Sequence, residues 1–181
     1  MKKSRVLVLV GGISKDSLNK KLYRFFADSA PEALELDYFD ISQLPFFSQD
    51  IENDPPAAAA DFKDRIVRAD ALLIITPEYN RSFPGVLKNA LDWGSRPQGK
   101  GVWGGKPAGL MGTSPGAIGT FGAQHQIRQV LSFLDIRTMN QPEFYFTFPK
   151  ELPDGKLPAP SQEFLQKFID SFVKWIDKQN G

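Results

Sequence analysis

The chain contains no cysteine, so disulfides, thiolate metal ligands and a catalytic thiol are excluded at once. Histidine is nearly absent too. His125 is the only one, which leaves no set of imidazoles for a metal centre and a single candidate base for any serine-based mechanism. An excess of charge is also missing. The 22 Lys and Arg against 21 Asp and Glu give a formal net charge of +1. That balance gives no reason to expect nucleic acid or a membrane surface as a partner, and it counts against an electron shuttle, which often docks through a strongly acidic face. Nor is there a long apolar run. The opening MKKSRVLVLVGG sets a basic flank before hydrophobic residues, but Val6 to Val10 is soon followed by Gly11-Gly12 and Lys15-Asp16. This is too short for the apolar region of a signal peptide, so the expected location is cytoplasmic, without membrane insertion. There the Asn80-Arg81-Ser82 sequon has no glycosylation role.

What is present predicts one domain over residues 1–181, with 41% hydrophobic and 24% charged residues. Val6 to Val10 is an unbroken β-branched and leucine run, as a strand buried on both faces requires, and Leu18, Leu22, Phe25 and Phe26 then recur at helical spacing. Leu34 to Phe39 reads as a second strand and Ala57 to Arg68 as a second helix, with Phe62, Ile66 and Ala69 on one stripe. Leu72 to Ile75 is a third strand, stopped by Pro77, and Val86, Leu87, Ala90 and Leu91 mark the helix after it. Pro107 to Gly112, a helix carrying Ile127, Val130, Leu131 and Leu134, Pro142 to Phe148, and a last helix over Glu163 to Lys178 complete the series. Alternating strands and helices predict a doubly wound five-stranded parallel sheet of order 2-1-3-4-5 with helices on both faces.

In such a sheet ligands bind beyond the carboxyl ends of the strands, and three loops there carry chemistry. The first, Gly11 to Asn19, is glycine-rich and bears hydroxyls before a helix that Asp16 or Ser17 could cap. Free N–H groups at a helix start attract an anion, and lacking both the Gly-Lys-Ser/Thr of a Walker loop and GxGxxG spacing, it suits one phosphate monoester. The second loop, Glu78-Tyr79-Asn80-Arg81, offers a carboxylate, a flat ring and an amide, with Ser82 read as the N-cap of the next helix and Pro84 as its first turn. It suits a planar heterocycle with a polar edge that becomes anionic. The third loop, Thr113 to Gly119, is built of small residues that let backbone approach a flat ring. Gly99, Gly101 and Gly104 do have GxGxxG spacing, but they precede a strand, so the match is accidental.

Pro77, Glu78, Tyr79, Asn80, Ser82, Pro84, Gly85, Leu87, Lys88, Asn89, Asp92 and Trp93 together resemble the signature of the NAD(P)H-dependent FMN reductase and quinone reductase family of flavodoxin-like proteins. Gly11, Ser17 and Asn19 resemble that family's phosphate loop, and Ser114, Gly116 and Gly119 its flavin-lining loop. The chain departs from the pattern at Gly12, where the family has serine, and at Ser14, where arginine is common; Lys15 is the nearest replacement charge. The resemblance implies bound FMN, with NADPH or NADH as reductant and a small-molecule acceptor such as a quinone, free flavin or azo compound. It further implies a homodimer or homotetramer.

The cofactor-binding candidates are therefore Gly11, Ser14, Lys15, Ser17, Asn19, Pro77, Glu78, Tyr79, Asn80, Ser82, Ser114, Gly116 and Gly119. The N–H groups of Glu78 to Asn80 are expected at the ring's polar edge, with the dipole of the helix near Pro84 behind them. Because the flavin carries the chemistry, no catalytic side chain is required. Trp103 reads as packing and His125 as structural or solvent-facing, while Lys88 and Asn89 serve packing as readily as function. Leu44, Phe46 and Phe47, in the long connection Asp40 to Pro56, either tuck under the domain or meet another subunit. The same loops would also serve a flavodoxin-type electron carrier or a non-catalytic flavin-binding regulatory protein.

Overall fold

The computed structural model describes residues 3–181; Met1 and Lys2, part of the basic flank, lie outside the described residues. The elements run β1 (Ser4–Val10), α1 (Leu18–Ser29), β2 (Leu34–Phe39), α2 (Ala57–Arg68), β3 (Ala71–Thr76), α3 (Gly85–Ser95), β4 (Pro107–Ser114), α4 (Phe121–Phe133), β5 (Arg137–Thr138), β6 (Phe144–Thr147) and α5 (Ala159–Asn180). All strand pairs of the sheet are parallel, in the order β2-β1-β3-β4-β5. This is the expected 2-1-3-4-5 topology, and its chain reversal lies between β1 and β3.

Alternation along the strands divides the core. Leu7, Leu9, Leu72 and Ile74 face α2, α3 and α4 through Phe62, Ile66, Leu87, Trp93 and Leu131. Val6, Val8, Val10, Leu73 and Ile75 face α1 and α5 through Leu22, Phe26, Phe168 and Phe172. Trp103 is a core residue, as expected: it is 1% exposed and its indole N–H donates to the Leu91 carbonyl at 2.9 Å.

The fifth position of the sheet departs from expectation, because two short strands share it. Pro107 pairs with Arg137, but Met111 pairs with Phe144, so the offset between partners grows from 30 to 33 residues along β4. The extra residues leave the ladder around Pro142, which has no N–H to donate. The last helix starts earlier than its apolar stripe, at Ala159, with Pro158 as N-cap and Pro160 in the first turn, where a missing N–H costs nothing.

The long connection after β2 is not structureless. It holds two short 3-10 turns, Ile41–Gln43 and Gln49–Ile51, capped by the Asp40 and Ser48 side chains. Leu44 is buried and Phe47 packs edge-on against Trp93 at 5.3 Å, whereas Phe46 is 87% exposed. Asn89 holds this segment: its amide oxygen accepts from Phe47 N–H at 2.8 Å and its amide nitrogen donates to the Pro45 carbonyl at 2.9 Å. No helix among the described residues is long and apolar enough to cross a membrane.

Candidate active site

Loops after β1, β3 and β4 converge at the carboxyl edge of the sheet. The first begins at Gly11, whose N–H donates to the Ile75 carbonyl at 2.8 Å. A Cβ on Gly11 would lie 2.5 Å from Leu87 Cδ1 and 2.8 Å from Pro84 Cγ, so this glycine is demanded by the packing of α3. Gly12 is demanded by Ser17: a Cβ there would stand 2.1 Å from Ser17 Oγ. Ser17 Oγ thus occupies the space that a side chain at position 12 would need. Ser17 also caps α1, accepting from Lys20 N–H at 3.3 Å, while Lys20 Nζ donates to the Ile13 carbonyl at 2.9 Å. The N–H groups of Lys15, Asp16, Leu18 and Asn19 find no intramolecular acceptor among the described residues, and they form the electropositive start of α1.

Asn19 has a task within the protein itself. It is 3% exposed, its Nδ2 donates to the Thr113 carbonyl and its Oδ1 accepts from Thr113 N–H, both at 3.0 Å. This reciprocal pair pins the first loop to the end of β4. The resulting hollow, about 210 Å³, is bordered by Ser14, Asp16, Ser17, Leu18, Asn19, Pro77, Glu78, Tyr79, Thr113, Ser114 and Pro115.

The second loop is a tight hairpin. Tyr79 N–H donates to the Ser82 carbonyl and Ser82 N–H to the Tyr79 carbonyl, both at 2.9 Å, and the central residues have φ of 51° at Asn80 and 65° at Arg81. Two positive φ values in succession are what a type I′ turn requires, and Arg81, with its Cβ, occupies the place that glycine prefers. Two expectations are corrected here. Tyr79 N–H is engaged within the turn, so of the three N–H groups expected at the ring edge only those of Glu78 and Asn80 stay open among the described residues. Ser82 does not cap α3: its N-cap is Pro84, with no side-chain bond, because the hairpin turns Ser82 toward α4, where its hydroxyl donates to Gln126 Oε1 at 2.6 Å. The start of α4 also adjoins this loop: there the Glu78 carboxylate accepts from Ala123 N–H at 3.1 Å and meets the positive dipole end.

The third loop is tied internally. Ser114 Oγ donates to the Gly119 carbonyl at 2.7 Å and accepts from Gly116 N–H at 3.2 Å, and Thr147 Oγ1 donates to the Gly116 carbonyl at 3.1 Å. Gly119 has φ of 61°, and a Cβ there would sit 2.8 Å from Phe146 N. The close approach that its motif suggested is therefore to β6. This loop and the hairpin enclose a second hollow of about 310 Å³, bordered by Glu78, Asn80, Arg81, Ser114, Gly116, Ala117, Ile118 and Gly119. Glu78 and Ser114 border both hollows, which makes one continuous cleft.

Of the sequence candidates, Gly11, Lys15 and Ser82 border neither hollow; the others all do. Arg81 and Asp16 border the cleft without having been singled out as ligand contacts, and Gln126 lies far along the chain with no local pattern to mark it. His125 is exposed and its ring lies tilted against Phe121 with centroids 4.2 Å apart, and its Nε2 is 3.3 Å from the Tyr145 hydroxyl. No group of three acidic or histidine side chains able to hold a metal occurs among the described residues. The cleft thus offers donors at one end, a larger hollow bordered by the Asn80 amide at the other and, among the described residues, no assembled nucleophile and base.

Comparison with known proteins gives concordant results. Residues 4–150 match the family described as NADPH-dependent FMN reductase. A 2-hydroxy-1,4-benzoquinone reductase of a Burkholderia species is 48% identical over 175 residues, covering 95% of this chain and 96% of the relative. A quinone reductase of Pseudomonas putida is 47% identical over 174 residues, covering 94% of each. The solved structure of FerB, a flavoenzyme NAD(P)H:(acceptor) oxidoreductase from Paracoccus denitrificans, superposes with a TM-score of 0.93 at 42% identity, covering 97% of this chain and 98% of that one.

Proposed function

The chain belongs to the NADPH-dependent FMN reductase family, and from that premise we propose that it is a quinone reductase built as one flavodoxin-like FMN-binding domain over residues 1–181. It is an NAD(P)H-dependent flavin oxidoreductase. When bound, FMN takes a hydride from NADPH or NADH and passes it to a small flat acceptor, such as a quinone, free flavin or azo compound. The observation that carries this reading is near-complete alignment, at 47–48% identity, with two quinone reductases.

The cleft fits the cofactor in kind as well as in place. At the smaller hollow, the hydroxyls of Ser14 and Ser17 and the open N–H groups at the start of α1 hold the phosphate, with no arginine and with Lys15 outside the hollow. At the larger one, the Asn80 amide and the open N–H groups of Glu78 and Asn80 bind the polar edge of the ring. Tyr79, 55% exposed, flanks the ring, and the 114–119 loop covers it with backbone and small side chains. Gly11, Asn19 and Ser82 act at one remove, holding loops that carry the contacts.

The enzyme acts in the cytoplasm as a homodimer or homotetramer. What supports self-association is the pair of outward aromatics, Phe46 at 87% and Phe133 at 89% exposure, the latter beside an apolar groove between α3 and α4. Light scattering of the purified chain tests it, and a monomer at micromolar concentration would remove this part of the reading.

The deciding experiment is anaerobic mixing of FMN-loaded protein with NADPH and, in parallel, NADH. Rapid loss of the oxidised-flavin absorbance is expected, followed by its return on adding a benzoquinone. FMN held without bleaching would favour an electron carrier or regulatory protein, and failure to hold FMN would refute the site.

A further inference from the structure

The hairpin at 79–82 carries two non-glycine residues in left-handed conformations, and its own pair of backbone bonds does not account for their persistence. Two side chains, each crossing between the hairpin and α4, do. Glu78, with its side chain only 8% exposed, accepts from Ala123 N–H at 3.1 Å and from Arg81 Nη1 at 3.2 Å. Gln126 reaches back from the second turn of α4: its Nε2 donates to the Arg81 carbonyl at 2.9 Å and its Oε1 accepts from the Ser82 hydroxyl at 2.6 Å. A carbonyl cannot donate, so the Arg81 oxygen alone fixes which way the Gln126 amide faces. Gly122 makes the contact close, since a Cβ there would meet the Arg81 carbonyl at 3.0 Å and Glu78 Oε2 at 3.2 Å.

We propose that Gln126 is a positioning residue for the flavin: by gripping Arg81 and Ser82 it holds the hairpin in the one backbone conformation that presents Asn80 to the ring edge. The proposal rests on the assignment of the larger hollow to the flavin ring. Gln126 borders neither hollow of the cleft. Its two bonds act on the fraction of molecules whose hairpin is ready to bind, and that fraction divides directly into the apparent dissociation constant.

Three measurements test this. In the apoprotein, Gln126→Ala should speed hydrogen exchange at the amides of Tyr79 and Ser82, with a fall in the thermal midpoint of no more than roughly a few degrees, the scale set by losing two exposed hydrogen bonds. Titration of FMN into that apoprotein should show about a tenfold weaker dissociation constant, the effect of losing two ordinary hydrogen bonds. Gln126→Glu should do no better, because a carboxylate keeps the Ser82 contact but cannot donate to the Arg81 carbonyl. The third measurement is a double-mutant cycle. In an Arg81→Gly background, where positive φ carries no steric cost, Gln126→Ala should weaken FMN binding far less than it does with Arg81 present.

Unchanged amide exchange in Gln126→Ala overturns the grip itself. Faster exchange with unchanged FMN affinity overturns the positioning role. Asn80→Ala, measured alongside, separates that result from an error in the site: if it too leaves FMN affinity unchanged the ring is not at this hairpin, whereas if it weakens binding the site stands and only the role of Gln126 falls.

Discussion

Several residues that carry the resemblance are already accounted for by contacts with their own neighbours. Gly119 lies in a loop that reads as flavin-lining, yet its positive φ and the backbone of Tyr145 and Phe146, within 3.2 Å of where a Cβ would be, explain the glycine without any ligand. Gly119→Ala is therefore expected to destabilise the protein by about 2 kcal/mol, the usual scale for left-handed strain plus overpacking. Thermal denaturation should register this as a loss of roughly 4–8 °C. Asn19 and Ser114 teach the same lesson, since the side-chain bonds they make join loop to loop and loop to itself. The location of the site was legible in the sequence because its hydroxyls, glycines and amides fall just after apolar strand runs. The division of labour was not legible, because no local pattern separates a serine that borders the candidate phosphate hollow from one that reaches a glutamine 44 residues away.

At the scale of elements, periodicity revealed what lies on the sheet and missed what interrupts it. β1 and β3 were legible because strands buried on both faces must be apolar throughout, and α1 and α2 because their buried residues recur at helical spacing. The break between β5 and β6 was invisible, since three surplus residues leave no apolar signature and Pro142 reads equally as a strand's first residue. α3 shows how one helix serves two partners. Its amino end packs on Gly11 below the first loop, and its middle, through Asn89 and Trp93, anchors the connection between β2 and α2 by three bonds of 2.8–2.9 Å. Asn89→Ala would leave Phe47 N–H without its acceptor and cost about 1–3 kcal/mol. The loss should be local, so limited proteolysis should cut between Asp40 and Pro56 well before α3 is attacked. A protease pattern identical to that of the parent chain would show that Phe47 packing against Trp93 suffices to hold the segment.

For the whole molecule, the nearly balanced charge means that pH acts through a few individual groups and not through general repulsion. Tyr145 is the most displaced of these. Burial first, then its 2.8 Å hydrogen bond to Glu143 and that carboxylate's charge, push its hydroxyl up from 10.0 to about 12, with Arg128 acting weakly in the opposite sense. The phenolate is the disfavoured form in the folded state, so the folded chain holds this proton more tightly than the unfolded chain does. The associated stability is fully present below pH 10 and is lost as pH rises through about 12. Tyr23 and Tyr38 are raised as well, both chiefly by burial, and they add to the same alkaline decline. The decisive quantity is thus the difference between the parent chain and Tyr145→Phe. Urea denaturation at pH 8 should show the variant less stable, because Glu143 has lost its donor. Between pH 10 and 12 the parent should decline more steeply, so that the two curves approach one another. Parallel curves across that interval would mean that the Tyr145 proton is held no more tightly in the folded chain than in the unfolded one, and that the alkaline loss belongs to Tyr23 and Tyr38 on the opposite edge of the sheet.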